Sequence, residues 1–226
     1  MGIQHSNKYE PLALLAVATV CLVISGIGPY NRVTWMLEVL PVLVGVPILI
    51  STYRRFTMTP LLYRLLLVHA LILILGGHYS YARVPPGFWV QDLFNLSRNH
   101  YDRLGHFAQG FIPAILAREI LIRRSPLVSG KWLFFIVVSV CLAFSAFYEL
   151  IEWWYAVLAG GESAEAFLGT QGDIWDSHWD MFIALIGAFV AQLTLGRCHD
   201  RSLDRLLADP AGRPTSQTYR HQHGTD

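Results

Sequence analysis

The apolar positions of this chain gather into six long runs separated by short polar breaks. The runs cover residues 12–27, 33–52, 60–77, 101–122, 131–158 and 176–196. A helix needs about 20 mostly apolar residues to cross the hydrocarbon core of a bilayer, and each run approaches that length once its flanks are included. The pattern predicts an all-α, polytopic integral membrane bundle with six transmembrane helices in residues 1–196. Residues 197–226 are predicted to form a polar cytoplasmic tail that is largely disordered.

Some of these runs depart from a plain apolar helix. The second contains Pro41 and Pro47, which predict a kink because proline cannot donate a helical hydrogen bond. The first is either a cleavable signal peptide or a retained helix, and the poor small-residue cleavage pattern at 25–30 favours a retained helix. The fourth contains His106, Gln109 and Arg118, so we expect it to face other helices and not lipid.

Composition supports a membrane protein. Apolar residues make up 54% of the chain and charged residues 15%, outside the usual range of soluble domains. The net charge is +1, so no overall field favours nucleic acid as a partner, and membrane lipids are the expected surroundings. The three cysteines show neither a disulfide framework nor a metal-binding spacing.

The distribution of lysine and arginine predicts the orientation of the helices. With the N-terminus in the cytoplasm, the inner loops carry most of the basic residues, namely Lys8, Arg54, Arg55, Arg123, Arg124, Lys131, Arg197, Arg201 and Arg205. The outer loops carry fewer, and the loop between the fifth and sixth runs carries none. Both termini are therefore expected to be cytoplasmic.

An acidic stretch leads directly into the last apolar run. Asp173, Asp176 and Asp180 fall within roughly 60° of one another on a helix, so they form a stripe that descends from the interface into the membrane. Polar groups also stand at other helix ends on the same predicted side of the membrane, namely His78, Asp102, His106, Glu149 and Glu152. We expect these side chains to converge in one pocket at the outer face.

Such a pocket would contain reactive groups. Carboxylates packed together at low dielectric constant cannot all stay ionised, so they must share protons, pair with Arg103 or bind a cation. The candidate catalytic residues are Asp102, His106, Glu149, Asp176 and Asp180. The candidate ligands of a hypothetical divalent metal ion are His78, Asp102, His106, Glu149, Glu152, Asp176 and Asp180. The H-E-x-x-H spacing of many zinc enzymes is absent, so the pattern identifies no particular cofactor.

Other positions have structural explanations. His69 is expected to be a satisfied interior histidine. Arg64 and Arg118 are expected to snorkel or to pair with Glu38 or Glu119. Close packing against a neighbouring helix is predicted by the small residues of the sixth run, namely Ala184, Gly187, Ala188 and Ala191.

Several motifs resemble those of a known family. They are His78-Tyr, Tyr101-Asp-Arg-Leu-Gly-His106-Phe, Tyr148-Glu-Leu-Ile-Glu152 and Gln171-Gly-Asp-x-x-Asp-x-x-x-Asp180-Met. Together they are similar to the bacterial inner-membrane family typified by YjdF, over nearly the whole chain up to about Gly196. A more distant similarity is to the VanZ-like pattern, whose named member is linked to glycopeptide (teicoplanin) resistance and in which asparagine commonly stands at the position of Asp180. The resemblance implies a multi-pass protein of the bacterial inner membrane with an acidic and histidine site, and it implies no reaction.

Three functions are compatible with these features. The first is a membrane enzyme that acts at the outer leaflet on an envelope lipid or a lipid-linked intermediate, with His106 or a deep carboxylate as general base or metal ligand and residues 160–170 as a lid. The second is a non-catalytic protein in which the cluster binds a partner or locks helices together. The third and least favoured is a proton- or cation-coupled carrier, because the inner halves of the helices contain few acidic residues. The pattern specifies neither the substrate nor the oligomeric state.

Overall fold

The computed structural model describes residues 9–160 and 170–208, and every regular element in these ranges is helical. The first helices are α1 (Glu10–Ser25), α2 (Arg32–Glu38), α3 (Leu40–Thr52) and α4 (Pro60–Tyr79). A short 3₁₀ turn (Tyr81–Arg83) and the helix α5 (Pro85–Phe94) follow. The last helices are α6 (Tyr101–Arg124), α7 (Lys131–Ala159) and α8 (Asp176–Ala208). The prediction of an all-α protein is confirmed for the described ranges.

Three of the described helices, α4, α7 and α8, are long and apolar enough to cross a membrane. The pair formed by α2 and α3 would be a fourth span, bent by 42° at the break between the two helices. The predicted kink is thus present, and Pro41 lies in the first turn of α3, where its missing N–H costs no helical hydrogen bond. Helix α1 has 16 residues, or about 24 Å, and is shorter than the hydrocarbon core of about 30 Å.

Helix α6 is too polar to count as an apolar span, yet it is the central helix of the bundle. It packs against α4, α7 and α8. Its buried side chains include Asp102, His106, Arg118 and Glu119. An ionised side chain exposed to lipid would cost about 3 kcal/mol at the centre of a membrane helix. The neighbouring helices avoid this cost because they shield the polar side chains of α6 from lipid. The prediction that this helix faces other helices is confirmed.

The most extensive helix contact joins α6 to α8. Gly110 lies against the backbone of Ala184, so that an added Cβ would be 1.8 Å from the Ala184 carbonyl oxygen. Gly187 lies equally close to α6, with an added Cβ only 2.3 Å from the Phe107 oxygen. Ala184 and Ala188 are fully buried in the same contact. The predicted small-residue packing is confirmed, and it brings the beginning of α8 beside the beginning of α6.

Helix α8 continues beyond the last apolar run. The sequence predicts a polar tail after Gly196, but the helix extends to Ala208. His199 and Leu203 are buried in this extension, and His199 contacts side chains of α6. Residues 197–208 therefore pack on the bundle as part of α8, and the division of the chain at residue 196 stays a prediction.

Some predictions concern residues outside the described ranges. They are the polar head before the first helix, most of the lid loop (161–169) and the disordered end of the tail (209–226). The number of spans and the side of the membrane on which the termini lie stay predictions.

Candidate functional site

A polar junction holds the beginning of α6 beside the segment that leads into α8. The side chain of Asn99 accepts from the Tyr101 N–H and donates to the Val84 carbonyl oxygen, both at 3.0 Å. Gln171 accepts from the Asn99 N–H at 3.2 Å and donates to the Asn99 carbonyl oxygen at 2.9 Å. Gly87 makes room for this junction, because an added Cβ would be 1.9 Å from the Asn99 side-chain oxygen. The two helix ends are therefore held side by side by local contacts.

Two arginines bind the acidic stripe of α8. Arg103 donates to Asp176 at 2.6 Å and also to Asp180. The same guanidinium group lies 3.3 Å from Asp173. Arg98 donates to Asp176 at 2.8 Å. Asp176 and Asp180 lie one turn apart on α8 as predicted, whereas Asp173 precedes the helix, and guanidinium groups offset part of the negative charge.

His106 lies on α6 among three carboxylates. Its Nε2 atom is 3.5 Å from Asp102 and 3.8 Å from Asp180, and its Nδ1 atom is 3.7 Å from Glu149. Nδ1 also lies 2.9 Å from the side-chain oxygen of Gln109. Asp102, His106 and Asp180 each offer one ligand atom, and these atoms lie within 4.8 Å of one another. All three residues are buried, which makes their interactions strong.

The carboxylates of this site are only partly compensated. Both oxygens of Glu149 lack a hydrogen-bond partner within the described residues, although the residue is only 7% exposed. Glu152, on the same helix, is also buried. Burial and then the charges of Arg98 and Arg103 lower the pKa of His100, which disfavours its charged form. Shared protons or a bound cation must offset the remaining negative charge.

The structure brings together most of the residues that the sequence singled out. We call the following residues the cavity cluster: Asp102, His106, Glu149, Glu152, Asp176 and Asp180. His78 is not placed with them. Its Nδ1 atom lies 2.8 Å from the Ser25 carbonyl oxygen, and its own carbonyl oxygen accepts from the Tyr30 N–H at 2.9 Å. These contacts join α4 to the end of α1, so among the predicted metal ligands His78 has a packing role.

A cavity of about 490 Å³ begins at the cavity cluster and follows one face of α6. Its polar end is formed by Glu38, Asp102, His106, Gln109, Tyr148 and Glu152. The lining then becomes apolar and reaches Leu121, which is roughly 28 Å along the helix from Asp102. Phe144 and Phe147 of α7 line its edge and are 65% and 51% exposed, so the cavity opens toward the side of the bundle.

The sequence did not reveal several polar groups of this cavity. Glu38 is 5% exposed and accepts a hydrogen bond from the Tyr148 hydroxyl at 3.2 Å. Gln109 stands three residues after His106, on the same helix face, and this spacing could have indicated it. The prediction that His69 is a satisfied interior histidine is wrong, because its Nε2 atom has no partner in the described part of the chain and the residue lines the cavity.

The sequence matches a family described as "Predicted membrane protein (DUF2238)" over residues 10–201. The chain belongs to this family. It is also 52% identical to the inner membrane protein YjdF of Escherichia coli (strain K12) over an alignment of 203 residues. This alignment covers 88% of this chain and 97% of the relative. No solved structure matches the chain.

Membership of this family confirms the predicted resemblance and location. The relative is named as an inner membrane protein, and several described helices are apolar enough to span a bilayer. The chain is therefore a multi-pass protein of the bacterial inner membrane. The more distant similarity to the VanZ-like pattern stays a prediction.

A second polar cluster lies toward the other end of α6, and we call it the paired cluster. Its members are Thr59, Arg118, Glu119, Arg123, His199 and Asp200. Glu119 is fully buried and accepts from the Thr59 hydroxyl and from Arg123, both at 2.8 Å. His199 is also fully buried and lies between Glu119, at 3.1 Å, and Arg118, at 2.8 Å. In this cluster each buried carboxylate oxygen and ring nitrogen has a partner.

The paired cluster corrects one predicted ion pair. Arg118 pairs with Asp200 at 2.7 Å and not with a glutamate. Glu119 cannot be its partner because successive residues of a helix point to different sides. Arg64 was also expected to snorkel or to pair with Glu38 or Glu119, but it donates to Glu10 at 3.1 Å in an exposed position.

Proposed function

We propose that this protein binds an envelope lipid or a lipid-linked intermediate in the cavity along α6 and acts on its polar head at the cavity cluster. In this arrangement the chain crosses the inner membrane six times, with α1, the bent pair α2 and α3, α4, α6, α7 and α8 as the spans. Both termini are cytoplasmic and the cavity cluster faces the outer leaflet. The excess of lysine and arginine in the loops of the opposite side supports this orientation.

The shape and lining of the cavity are the observation that carries this proposal. An amphiphilic ligand needs a long apolar wall for its chain and a few polar groups for its head, and small-molecule sites typically enclose about 300–1,000 Å³. Leu116, Ala117 and Cys141 belong to the apolar wall, and His106 belongs to the polar end of the same cavity of about 490 Å³. The exposed side chain of Phe144 marks a lateral opening through which a chain from the bilayer enters.

The cavity cluster supplies groups for an acid–base step on the head group. His106 and Glu149 are both buried and lie 3.7 Å apart. A positioned imidazole or carboxylate can accept a proton from a reacting group, and low surrounding polarity strengthens its effect on developing charge. Arg103 holds Asp176 and Asp180 in place and so keeps the beginning of α8 against this site.

A non-catalytic binding or structural protein is the main alternative. A cluster that only locked helices together would satisfy its buried polar groups, whereas the oxygens of Glu149 have no partner among the described residues. A proton- or cation-coupled carrier is less favoured, because a carrier needs polar groups along its route and the cavity lining between Leu116 and Leu121 is apolar.

Retention of lipid by the purified protein tests the cavity. The full chain in mild detergent is expected to carry bound lipid when it is measured by native mass spectrometry. Cys141→Trp fills the apolar wall and is expected to remove most of this lipid. Leu193→Trp is the matched control, because Leu193 is 73% exposed on α8 and lies outside the cavity lining. Equal lipid retention by the two variants would contradict the proposal.

A second measurement separates an enzyme from a binding protein. The full chain is incubated with bacterial envelope lipids, and the products are compared with those of His106→Gln by liquid chromatography and mass spectrometry. A product formed by the wild type alone supports the enzyme. Lipid that is retained and left unchanged by both proteins supports the binding alternative.

A further inference from the structure

Three atoms of the cavity cluster are arranged as ligands of a single ion. The Nε2 atom of His106 lies 3.5 Å from an oxygen of Asp102 and 3.8 Å from an oxygen of Asp180. The three ligand atoms lie within 4.8 Å of one another. Bonds of about 2.1 Å in a tetrahedral site place ligand atoms about 3.4 Å apart. Each atom would need to move by less than about 1 Å to close this set around an ion.

The hydrogen bond on the other side of the ring directs the lone pair of His106. Its Nδ1 atom lies 2.9 Å from the side-chain oxygen of Gln109, which accepts hydrogen bonds and does not donate them. When the ring is neutral and donates from Nδ1 to this oxygen, its lone pair is on Nε2, beside Asp102 and Asp180. A lone pair that faces two carboxylates is repelled unless a proton or a metal cation stands between them. Metal-bound histidines commonly donate their second N–H to an acceptor in this way.

Glu149 provides a second and independent observation. It is 7% exposed, and neither of its oxygens makes a hydrogen bond of standard geometry within the described ranges, although the Ser177 hydroxyl is a neighbour. Its carboxylate lies 3.7 Å from the His106 ring. An ionised carboxylate without a partner is stable in a buried site only when a positive charge is close. A cation near the His106 ring would supply this charge, as would a proton on the Glu149 carboxylate.

We propose that Asp102, His106 and Asp180 bind one divalent metal ion, and that the carboxylate of Glu149 balances its charge. Two carboxylate oxygens and one imidazole nitrogen suit Mn²⁺ or Zn²⁺ better than Ca²⁺, which prefers oxygen ligands alone. The role of the ion rests on the proposed function: it lies at the polar end of the cavity and binds the phosphate or carboxylate of an anionic head group. Without it, such a head group would meet an acidic surface.

The metal content of the full chain tests this proposal. The purified protein is stripped with EDTA, dialysed and titrated with MnCl₂ or ZnCl₂, and the bound ion is measured by inductively coupled plasma mass spectrometry. The wild type is expected to bind one ion per chain, and Asp102→Asn and His106→Gln to lose it. Gln109→Ala should weaken binding by about 10–100-fold, because it removes only the group that orients the ring. Asp173→Asn, another acid of the α8 stripe that contacts Arg103, is the matched control and keeps the ion.

A folded wild-type chain that binds neither ion overturns the proposal, because a protonated ring would then balance the carboxylates. Folding of each variant is checked by size-exclusion chromatography and thermal unfolding. If a variant does not fold, pulsed electron paramagnetic resonance of the Mn²⁺-loaded wild type tests whether His106 is a ligand. Coupling to an imidazole nitrogen supports the site, and its absence overturns it.

The metal site and the lipid site can fail separately. If the wild-type chain binds metal and retains no lipid, the metal site is supported and the proposed function is contradicted. If the chain retains lipid and binds no metal, the lipid-binding proposal is supported and the metal site is contradicted.

Discussion

The cavity cluster and the paired cluster lie toward opposite ends of α6, and they differ in how their charges are satisfied. In the paired cluster, Glu119 accepts hydrogen bonds from Thr59 and Arg123 and lies beside His199. In the cavity cluster, Glu149 makes no hydrogen bond of standard geometry in the described ranges, and its neighbour His106 lines a cavity. Complete pairing stabilises a fold, whereas incomplete pairing leaves groups for a ligand. Burial of polar residues alone therefore does not identify the site; the unsatisfied groups do.

Removal of a partner from the paired cluster should have the largest effect on stability. Glu119→Ala leaves Arg123 and His199 buried without their carboxylate, and we expect a loss of about 3–5 kcal/mol. The free energy of unfolding is measured by denaturant titration in detergent micelles. Glu149→Ala, the same truncation at a buried glutamate of the cavity cluster, should cost less. Equal losses would remove the distinction between the clusters.

Separation of α6 from α8 should damage both clusters at once. Gly187→Ala places a Cβ about 2.3 Å from the Phe107 oxygen, and such overpacking typically costs about 1–3 kcal/mol. We expect lower stability and weaker ligand binding in the same variant. Gly196→Ala is the matched control on the same helix, because an added Cβ there has no neighbour within 4 Å. A comparable loss in both variants would indicate a general effect of alanine in α8.

The guanidinium group of Arg103 should be harder to replace than an exposed one. Arg103→Lys offers a single ammonium group in place of a fork that reaches both Asp176 and Asp180, and we expect a loss of about 1–2 kcal/mol. Arg64→Lys alters the exposed pair with Glu10 and should cost less than about 1 kcal/mol. Unfolding in detergent checks both values. Identical results would show that the bridge to α8 is not part of the stable core.

Neutralisation of the unpaired carboxylate should have the smallest effect on stability. Glu149→Gln removes a charge without removing a hydrogen bond, so we expect a change within about 1 kcal/mol in either direction. The same variant should lose head-group turnover in the product assay. A large destabilisation would mean that Glu149 is a structural residue, like Glu119.

Sequence periodicity predicted those features that depend on residues close together in the chain. The apolar spans of α7 and α8 follow from continuous hydropathy. The acidic stripe of Asp176 and Asp180 follows from the turn angle of a helix, and small residues such as Gly187 predicted close packing. Glu38 was not assigned to the site, because only the fold brings α2 beside Tyr148 of α7.

By itself, the sequence determined a helical membrane protein with a polar fourth run and with acids and a histidine at neighbouring helix ends. Only the tertiary structure decided which charges pair: Arg103 binds Asp180, Arg118 binds Asp200, and Glu149 has no hydrogen-bond partner in the described ranges. The physical reason is that hydropathy and helical periodicity are local, whereas ion pairing and cavities depend on distances between segments that are far apart in the chain.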